Sequence, residues 1–222
     1  MRFLAFFIIA VSAITVGYFM IKDTQEKPKL KVINPVDVEQ EMVDSLLHNK
    51  GRGHTIGAFR FQNQYVEWVT DEDVQGDVFV AEYFFTTCGT ICPKMNAQMK
   101  RVQEAYQQNE EVKILSFTVD PEVDTVEQML RYANAHSAQK GRWHFLTGDK
   151  TELYQLARTS FFVLKPAEAA NAGDANSDFI HTNNFVLVDR KMRIRGYYDG
   201  TSPSEVKRLI EHIQVLLDER EE

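Results

Sequence analysis

The pattern of apolar and charged positions separates one long apolar segment from a region of mixed polarity. Residues 3–21 carry no charged side chain and are mostly apolar. At a rise of about 1.5 Å per residue, a helix of this length is close to the hydrocarbon thickness of a bilayer, which predicts a transmembrane anchor over residues 1–21. The alternative is a signal peptide with Val11 and Ala13 in the small-residue positions of its cleavage site, but cleavage there would leave an apolar start on the mature protein.

Basic residues flank the predicted anchor on both sides, with Arg2 before it and Lys22, Lys27, Lys29 and Lys31 after it. This count alone favours the wrong side for an exported domain. Large domains are exported despite such counts, and a paired-cysteine motif suits an oxidising compartment. We therefore expect the N-terminus in the cytoplasm and the domain in the periplasm or another extracytoplasmic space.

Residues 22–53 are charged and include two prolines and two glycines, a composition typical of a membrane-proximal linker. The periodicity changes at residue 54. Apolar residues then alternate with polar ones on both sides of a turn at Asn63 and Gln64, which predicts a β-hairpin. We expect a single domain over residues 54–222.

Strands and helices alternate in the rest of this domain. Residues 77–85 form a continuous apolar run, the pattern of a strand buried on both faces, and a helix from Cys92 to about residue 108 follows. The later predicted elements are a strand at 112–120, a helix at 125–137, a strand at 143–148, a helix at 149–161, strands at 184–189 and 193–200, and a helix at 203–219. This order predicts an α/β domain with a thioredoxin-like fold.

Charge excludes one class of function. The chain has a formal net charge of −7 and no run of basic residues interleaved with aromatic ones. Nucleic acid binding requires a basic surface, so we do not expect a nucleic acid partner.

The candidate chemistry lies at Cys88 and Cys92, the two cysteines of the chain, which three residues separate. A redox pair, a structural disulfide and a metal site are the alternatives. A disulfide across so short a loop removes little chain entropy, and a closed zinc site would need two histidines as well. Soft thiolate ligands select Cu(I). Because Cys92 begins a predicted helix, whose unpaired N–H groups stabilise a thiolate, we expect it to be the more reactive cysteine.

Two pairs of residues near the cysteines receive structural interpretations. Met95 and Met99 are four residues apart on the predicted helix, which is typical of core positions. Asp120 and Asp124 lie between a strand and a helix, and we expect them to cap that helix, with Thr125 as its N-cap three residues before Gln128. Phe84, Phe85 and Phe162 read as core residues.

Three motifs in the same order resemble the Sco/SenC family of membrane-tethered copper proteins. They are FFTTCGTICPKM around the cysteines, FTVDPEVDT at 117–125, and DFIHTNNFVLVDRKMRIRGYYDG at 178–200. The resemblance implies a copper site made by Cys88, Cys92 and His181. Taken alone, His181 is one of six histidines, distinguished by its place between a loop of small residues and a strand. Family members commonly have Pro-Asp where this chain has Gly89 and Thr90.

The resemblance also implies a function. We expect a copper chaperone that delivers copper, as Cu(I) or Cu(II), to the CuA centre in the copper-bearing subunit of cytochrome c oxidase, or to another apo-cuproprotein. The alternative is a thiol–disulfide oxidoreductase in which Cys88 and Cys92 are catalytic. A peroxidase is disfavoured, because the sequence offers no arginine-assisted peroxide site. The sequence leaves the oligomeric state open.

Overall fold

The computed structural model describes residues 29–43, 47, 51–163 and 183–219. Within these residues, no helix is both long enough and apolar enough to cross a membrane. The predicted anchor at residues 1–21 lies outside them, as does His181.

One mixed sheet organises the described chain. Its strands are Arg60–Asn63 (β1), Trp68–Thr70 (β2), Val78–Phe84 (β3), Val112–Thr118 (β4), Trp143–Thr147 (β5), Asn184–Val188 (β6) and Ile194–Asp199 (β7). Their order across the sheet is β2-β1-β5-β4-β3-β6-β7. The central strands β3, β4 and β5 are parallel, and the predicted hairpin is present as antiparallel β1 and β2.

Helices connect the parallel strands and close the chain. They are Asp71–Val74 (α1), Cys92–Ala105 (α2), Val126–Ala135 (α3), Lys150–Thr159 (α4) and Pro203–Asp218 (α5). The predicted helices of the domain are present with ends shifted by a few residues. Side-chain oxygens cap four of them, because Thr70, Thr125, Asp149 and Ser202 each accept a backbone N–H from the first turn.

The central strand β3 is buried along its whole length because helices cover both faces of the sheet. Alternate side chains of a strand point to opposite faces, so each face builds its own core. The face covered by α2, α3 and α5 includes Val80, Phe84, Met95, Met99, Met129 and Leu209. The opposite face, covered by α4, includes Phe61, Phe79, Tyr83, Leu153 and Phe162.

Residues 29–43, part of the segment predicted as a linker, lie against this domain. The N–H of Ile33 donates to the carbonyl oxygen of Ile194 over 2.8 Å, beside the outer strand β7. Val43 is buried in the same core as the hairpin. This part of the segment therefore packs onto the domain and does not stand apart as a spacer, while the domain boundary at residue 54 stays a prediction.

Candidate metal centre

Cys88 lies in the loop that joins β3 to α2, and Cys92 is the first residue of α2, at the carboxyl end of the parallel strands. The N–H of Cys88 donates to the carbonyl oxygen of Phe85 over 3.2 Å, which turns the chain after β3. Helix α2 begins at Cys92, with Pro93 in its first turn. Proline suits this position because its missing N–H would have no partner within the helix. Both cysteine side chains are buried and both thiols are free.

The sulfur of Cys88 faces the start of α2. It accepts the backbone N–H of Cys92 with an S···N distance of 3.5 Å, and the hydroxyl oxygen of Thr90 lies 3.7 Å from it. Burial disfavours the thiolate, but the hydrogen bonds from Cys92 and Thr90 together outweigh burial and lower the pKa of Cys88 to about 7. Cys88 is therefore substantially ionised at neutral pH, in the form that attacks disulfides and binds metals.

The pKa of Cys92 shifts in the opposite direction, which opposes the prediction that Cys92 is the more reactive cysteine. Its side chain is 3% exposed. Burial, reinforced by the neighbouring Cys88 and Glu82, raises the pKa of Cys92 to about 12. The physical reason is direction: the free N–H groups of a helix point away from its first residue, toward the chain that precedes it. Cys88 occupies that position, whereas Cys92 turns into the core.

A carboxyl group lies in the core near this pair. Glu82 of β3 is 1% exposed, and its Oε1 accepts the hydroxyl of Ser116 over 2.6 Å. Its Oε2 is buried without a hydrogen-bond partner among the described residues. Burial raises the pKa of Glu82 to about 7. The prediction of site residues missed Glu82, although a single acidic residue inside the apolar run at 77–85 was a visible signal.

A second buried carboxylate, Asp124, joins the cysteine loop to the loop that follows β4. It is 0% exposed, and it accepts the backbone N–H of Thr86 at 3.1 Å as well as the hydroxyls of Thr86 and Thr118. The predicted capping role of Asp124 is therefore wrong. The oxygen that caps α3 belongs to Thr125, since it accepts the N–H of Gln128.

The methionines and aromatic residues take the positions that the sequence predicts. Met95 and Met99 are 1% and 0% exposed in the core under α2, as the predicted core positions require. Phe84 and Phe162 are buried, and Phe85 is partly buried between the two cores.

The histidines of the described chain have partners away from the two thiols. His54 contacts the carbonyl oxygen of Ser160, His136 contacts Asn96, His144 contacts Asn63 and His212 contacts Tyr198. Across the described ranges, no three His, Cys, Asp or Glu side chains are grouped so that they could hold a metal ion. His181, the predicted third ligand, is outside these ranges.

The described chain nevertheless brings Asn183, two residues after His181, to the end of the sheet that carries the cysteines. Strands β3 and β6 are antiparallel, with Ala81 opposite Val186. Continuing this register places Asn183 level with Phe84, the last residue of β3. His181 precedes Asn183 by two residues in the sequence.

Comparisons with known proteins agree on one family. The SCO1/SenC family model matches residues 48–218. The SCO1 protein homolog of Bacillus subtilis is 32% identical over 165 residues, which cover 72% of this chain and 82% of that protein.

Solved structures support the fold. BsSco, described as having a disulfide switch and as a member of the Sco family of cytochrome c oxidase assembly proteins, matches with a TM-score of 0.63 and 30% identity, covering 75% of this chain and 95% of that one. Bradyrhizobium japonicum ScoI, solved with copper bound, matches with a TM-score of 0.58 and 22% identity, covering 74% and 99%. These similarities confirm the predicted thioredoxin-like α/β fold. Since the family model spans most of its length, this chain belongs to the SCO1/SenC family.

Proposed function

We propose that this protein binds one copper ion through Cys88, Cys92 and His181 and passes it to another copper protein. The observation that carries the proposal is the pair of free thiols at the start of α2, linked by the hydrogen bond from the Cys92 N–H to the Cys88 sulfur, in a chain of the SCO1/SenC family. Two thiolates and one imidazole form a soft, three-coordinate set that suits Cu(I). Copper is the cargo, and it leaves by exchange of ligands.

His181 is the proposed third ligand because of its place in the chain. The register of β6 against β3 supports an approach to the cysteine loop, since Asn183 follows His181 by two residues. The proposal requires His181 to reach the thiols from Asn183 across two residues, which span at most about 7 Å of chain. A histidine from a separate segment can also leave the metal without disturbing the two thiolates.

The proposed recipient is the copper-bearing subunit of cytochrome c oxidase, at its CuA centre, with another apo-cuproprotein as the alternative. The description of BsSco as a cytochrome c oxidase assembly protein supports this choice. The buried thiols favour a recipient that approaches the cysteine loop directly.

We also propose that residues 3–21 anchor the protein in a membrane, with the N-terminus in the cytoplasm and the domain on the other side. A tether raises the local concentration of a membrane-bound recipient. Mass spectrometry of the mature protein tests the anchor, since an intact residue 2 supports it and a new start near Ile14 contradicts it.

Thiol–disulfide exchange is the second candidate function. It is favoured by the unequal pKa values of the two thiols, about 7 for Cys88 and about 12 for Cys92. In such a reaction the Cys88 thiolate attacks a disulfide of the substrate, and Cys92 then displaces the reduced substrate as a disulfide forms between Cys88 and Cys92. The two functions are compatible, because both thiols must be reduced before copper binds.

Copper titration of the reduced full-length protein tests the first function. We expect one equivalent to bind, with affinity at least about 10-fold lower after His181→Ala or Cys92→Ala, the range seen when metal sites lose supporting groups. His212→Ala is the matched control, because His212 contacts Tyr198 on the α5 side of the sheet. A wild-type protein that binds no copper, or a His181→Ala variant that binds like the control, contradicts the proposed site.

The same variants separate the two functions. A pure redox pair does not need His181, so His181→Ala should keep disulfide-exchange activity while it loses copper affinity. Loss of both would mean that His181 also takes part in exchange.

A further inference from the structure

Asp124 is a charged residue in a place where charge is unfavourable. Its side chain is completely buried between the loop that follows β3 and the loop that follows β4. Burial raises the pKa of Asp124 despite the hydrogen bonds that it accepts. Since a buried carboxylate costs free energy that an apolar side chain would not, stability alone does not explain it.

The hydrogen bonds of Asp124 begin where the backbone ladder of the sheet ends. The N–H of Val119 donates to the carbonyl oxygen of Phe84 over 2.9 Å, which extends the pairing of β3 and β4 to the end of β3. Two residues later, the N–H of Thr86 meets both carboxylate oxygens of Asp124, at 3.1 and 3.3 Å. The carboxylate thus accepts a backbone N–H that no strand accepts, and it holds the first residues of the cysteine loop.

The side chain of Thr86 is held by Asp124 and by Gln128. Its hydroxyl donates to Asp124, the amide of Gln128 in α3 donates to the same hydroxyl over 3.2 Å, and Asp124 also accepts the hydroxyl of Thr118 at the end of β4. The loop is thereby tied to β4 and to α3, two elements that belong to the rigid core.

Cys88 follows Thr86 by two residues and makes two hydrogen bonds of its own. Its N–H donates to Phe85, and its sulfur accepts the N–H of Cys92 at the start of α2. Between these fixed points only Thr87 intervenes, and it is exposed. The position of the Cys88 sulfur is therefore determined by Asp124 at one end and by α2 at the other.

We propose that Asp124 is a positioning residue for the copper site: through Thr86 it fixes the cysteine loop so that Cys88 and Cys92 present their sulfurs together before copper arrives. The inference rests on the proposed copper function and deepens it. Groups that orient metal ligands without touching the metal typically change metal affinity by about 10- to 100-fold when they are removed.

The test compares three variants of the reduced full-length protein by competition for Cu(I) with a chromogenic chelator. Asp124→Ala removes every acceptor and should lower copper affinity by about 10- to 100-fold. Asp124→Asn keeps one oxygen for the Thr86 N–H and should recover most of that loss. Thr86→Val removes only the hydroxyl, and should give an intermediate effect even if Asp124→Ala fails to fold.

Asp189→Ala is the matched control, because Asp189 is also a buried aspartate with several hydrogen-bond donors. It lies at the opposite end of the strands from the cysteines. Its copper affinity should stay within about 2-fold of the wild type. Equal losses of affinity in Asp124→Ala and Asp189→Ala would reduce Asp124 to a stabilising residue, and an unchanged affinity in folded Asp124→Ala and Thr86→Val would overturn the proposal.

A second readout keeps this inference separate from the proposed function. The rate at which iodoacetamide alkylates Cys88 depends on the position of its sulfur against α2 and needs no copper. If the wild type binds no copper, the proposed function fails. Asp124 remains a positioning residue in that case if Asp124→Ala changes the alkylation rate while Asp189→Ala does not, and unchanged rates in both would reject it.

Discussion

Two buried aspartates lie at opposite ends of the strands of the sheet, and their hydrogen-bond donors differ in charge. We call these two ends of the sheet the cysteine edge and the hairpin edge. At the cysteine edge, formed by residues 85–91 and 119–125, Asp124 accepts only neutral donors. At the hairpin edge, formed by the turn 189–193 between β6 and β7, Asp189 accepts guanidinium groups from Arg193 and Arg195, at 2.7 and 2.8 Å.

The difference appears in the acidity of the two side chains. Burial raises the pKa of Asp124, and the threonine donors do not offset it. Burial acts in the same direction on Asp189, but the hydrogen bonds from Arg193 and Arg195 outweigh it, and the pKa of Asp189 falls below its usual value. Asp189 is therefore a stabilising ion-pair partner at one edge. Asp124, which is similarly buried, is a hydrogen-bond acceptor whose charged form costs free energy at the other.

The hairpin edge also holds the two ends of the described chain. Arg195 donates to the carbonyl oxygen of Leu30 over 2.6 Å and to Glu219 over 2.8 Å. The N-terminal segment, β7 and the end of α5 thus meet at one buried guanidinium. We infer that the hairpin edge stabilises the fold, whereas the cysteine edge is less stabilising and instead fixes the position of the cysteine loop.

The largest expected effect is on stability. Asp189→Ala leaves Arg195 buried with Glu219 as its remaining acidic partner, and removing one member of a buried ion pair typically costs about 3–5 kcal/mol. Asp124→Ala removes bonds to neutral donors and also removes a buried charge, so we expect a loss of about 1–3 kcal/mol. Urea unfolding monitored by circular dichroism measures both. Equal losses would mean that the two edges are not specialised.

The next effect concerns thiol reactivity at the cysteine edge. The pKa values of about 7 for Cys88 and about 12 for Cys92 favour the Cys88 thiolate strongly, although a thiolate of low pKa is a weaker nucleophile. Together these factors predict alkylation of Cys88 about 100-fold faster than Cys92 at pH 7. Peptide mass spectrometry after timed alkylation gives the ratio. Faster alkylation of Cys92 would restore the expectation drawn from the sequence.

The smallest effect is a pair of opposite pH dependences. Asp124 has a raised folded pKa, so its carboxyl group binds more protons folded than unfolded just above the usual value of 3.8, and stability falls as the pH rises through that window. Asp189 has a lowered folded pKa, so its contribution is present above 3.8 and is lost as the pH falls below it.

Each unit of pKa shift corresponds to about 1.4 kcal/mol. Comparing wild type with Asp124→Asn and Asp189→Asn by urea unfolding between pH 3 and 6 should therefore give difference curves of opposite slope. Slopes of the same sign would contradict the assignment of the two partners.

Much of the fold follows from the sequence because its signals are local. The apolar run before the cysteines predicts β3, and Thr125 three residues before Gln128 predicts the cap of α3. The thioredoxin-like order of strands and helices follows from these alternating elements. Ends of elements are less predictable, since a helix predicted to about residue 108 ends at Ala105.

The details of the site are harder to predict from the sequence. They depend on the direction of the N–H groups at the start of α2 and on contacts between residues that are distant in the sequence. The sequence places Cys92 at a helix start, but the free N–H of that start points at Cys88. Asp124 precedes a helix and so resembles a cap, yet its donors are Thr86, 38 residues away, and Thr118. No local pattern encodes such pairs, which form only when β3 and β4 align.

X-ray absorption spectroscopy of the Cu(I)-loaded full-length protein tests the central claim most directly. The account predicts two sulfur neighbours from Cys88 and Cys92 and one nitrogen neighbour from His181, with the nitrogen lost in His181→Ala and kept in His212→Ala. A copper ion with sulfur neighbours alone in the wild type, or a spectrum unchanged by His181→Ala, would contradict it.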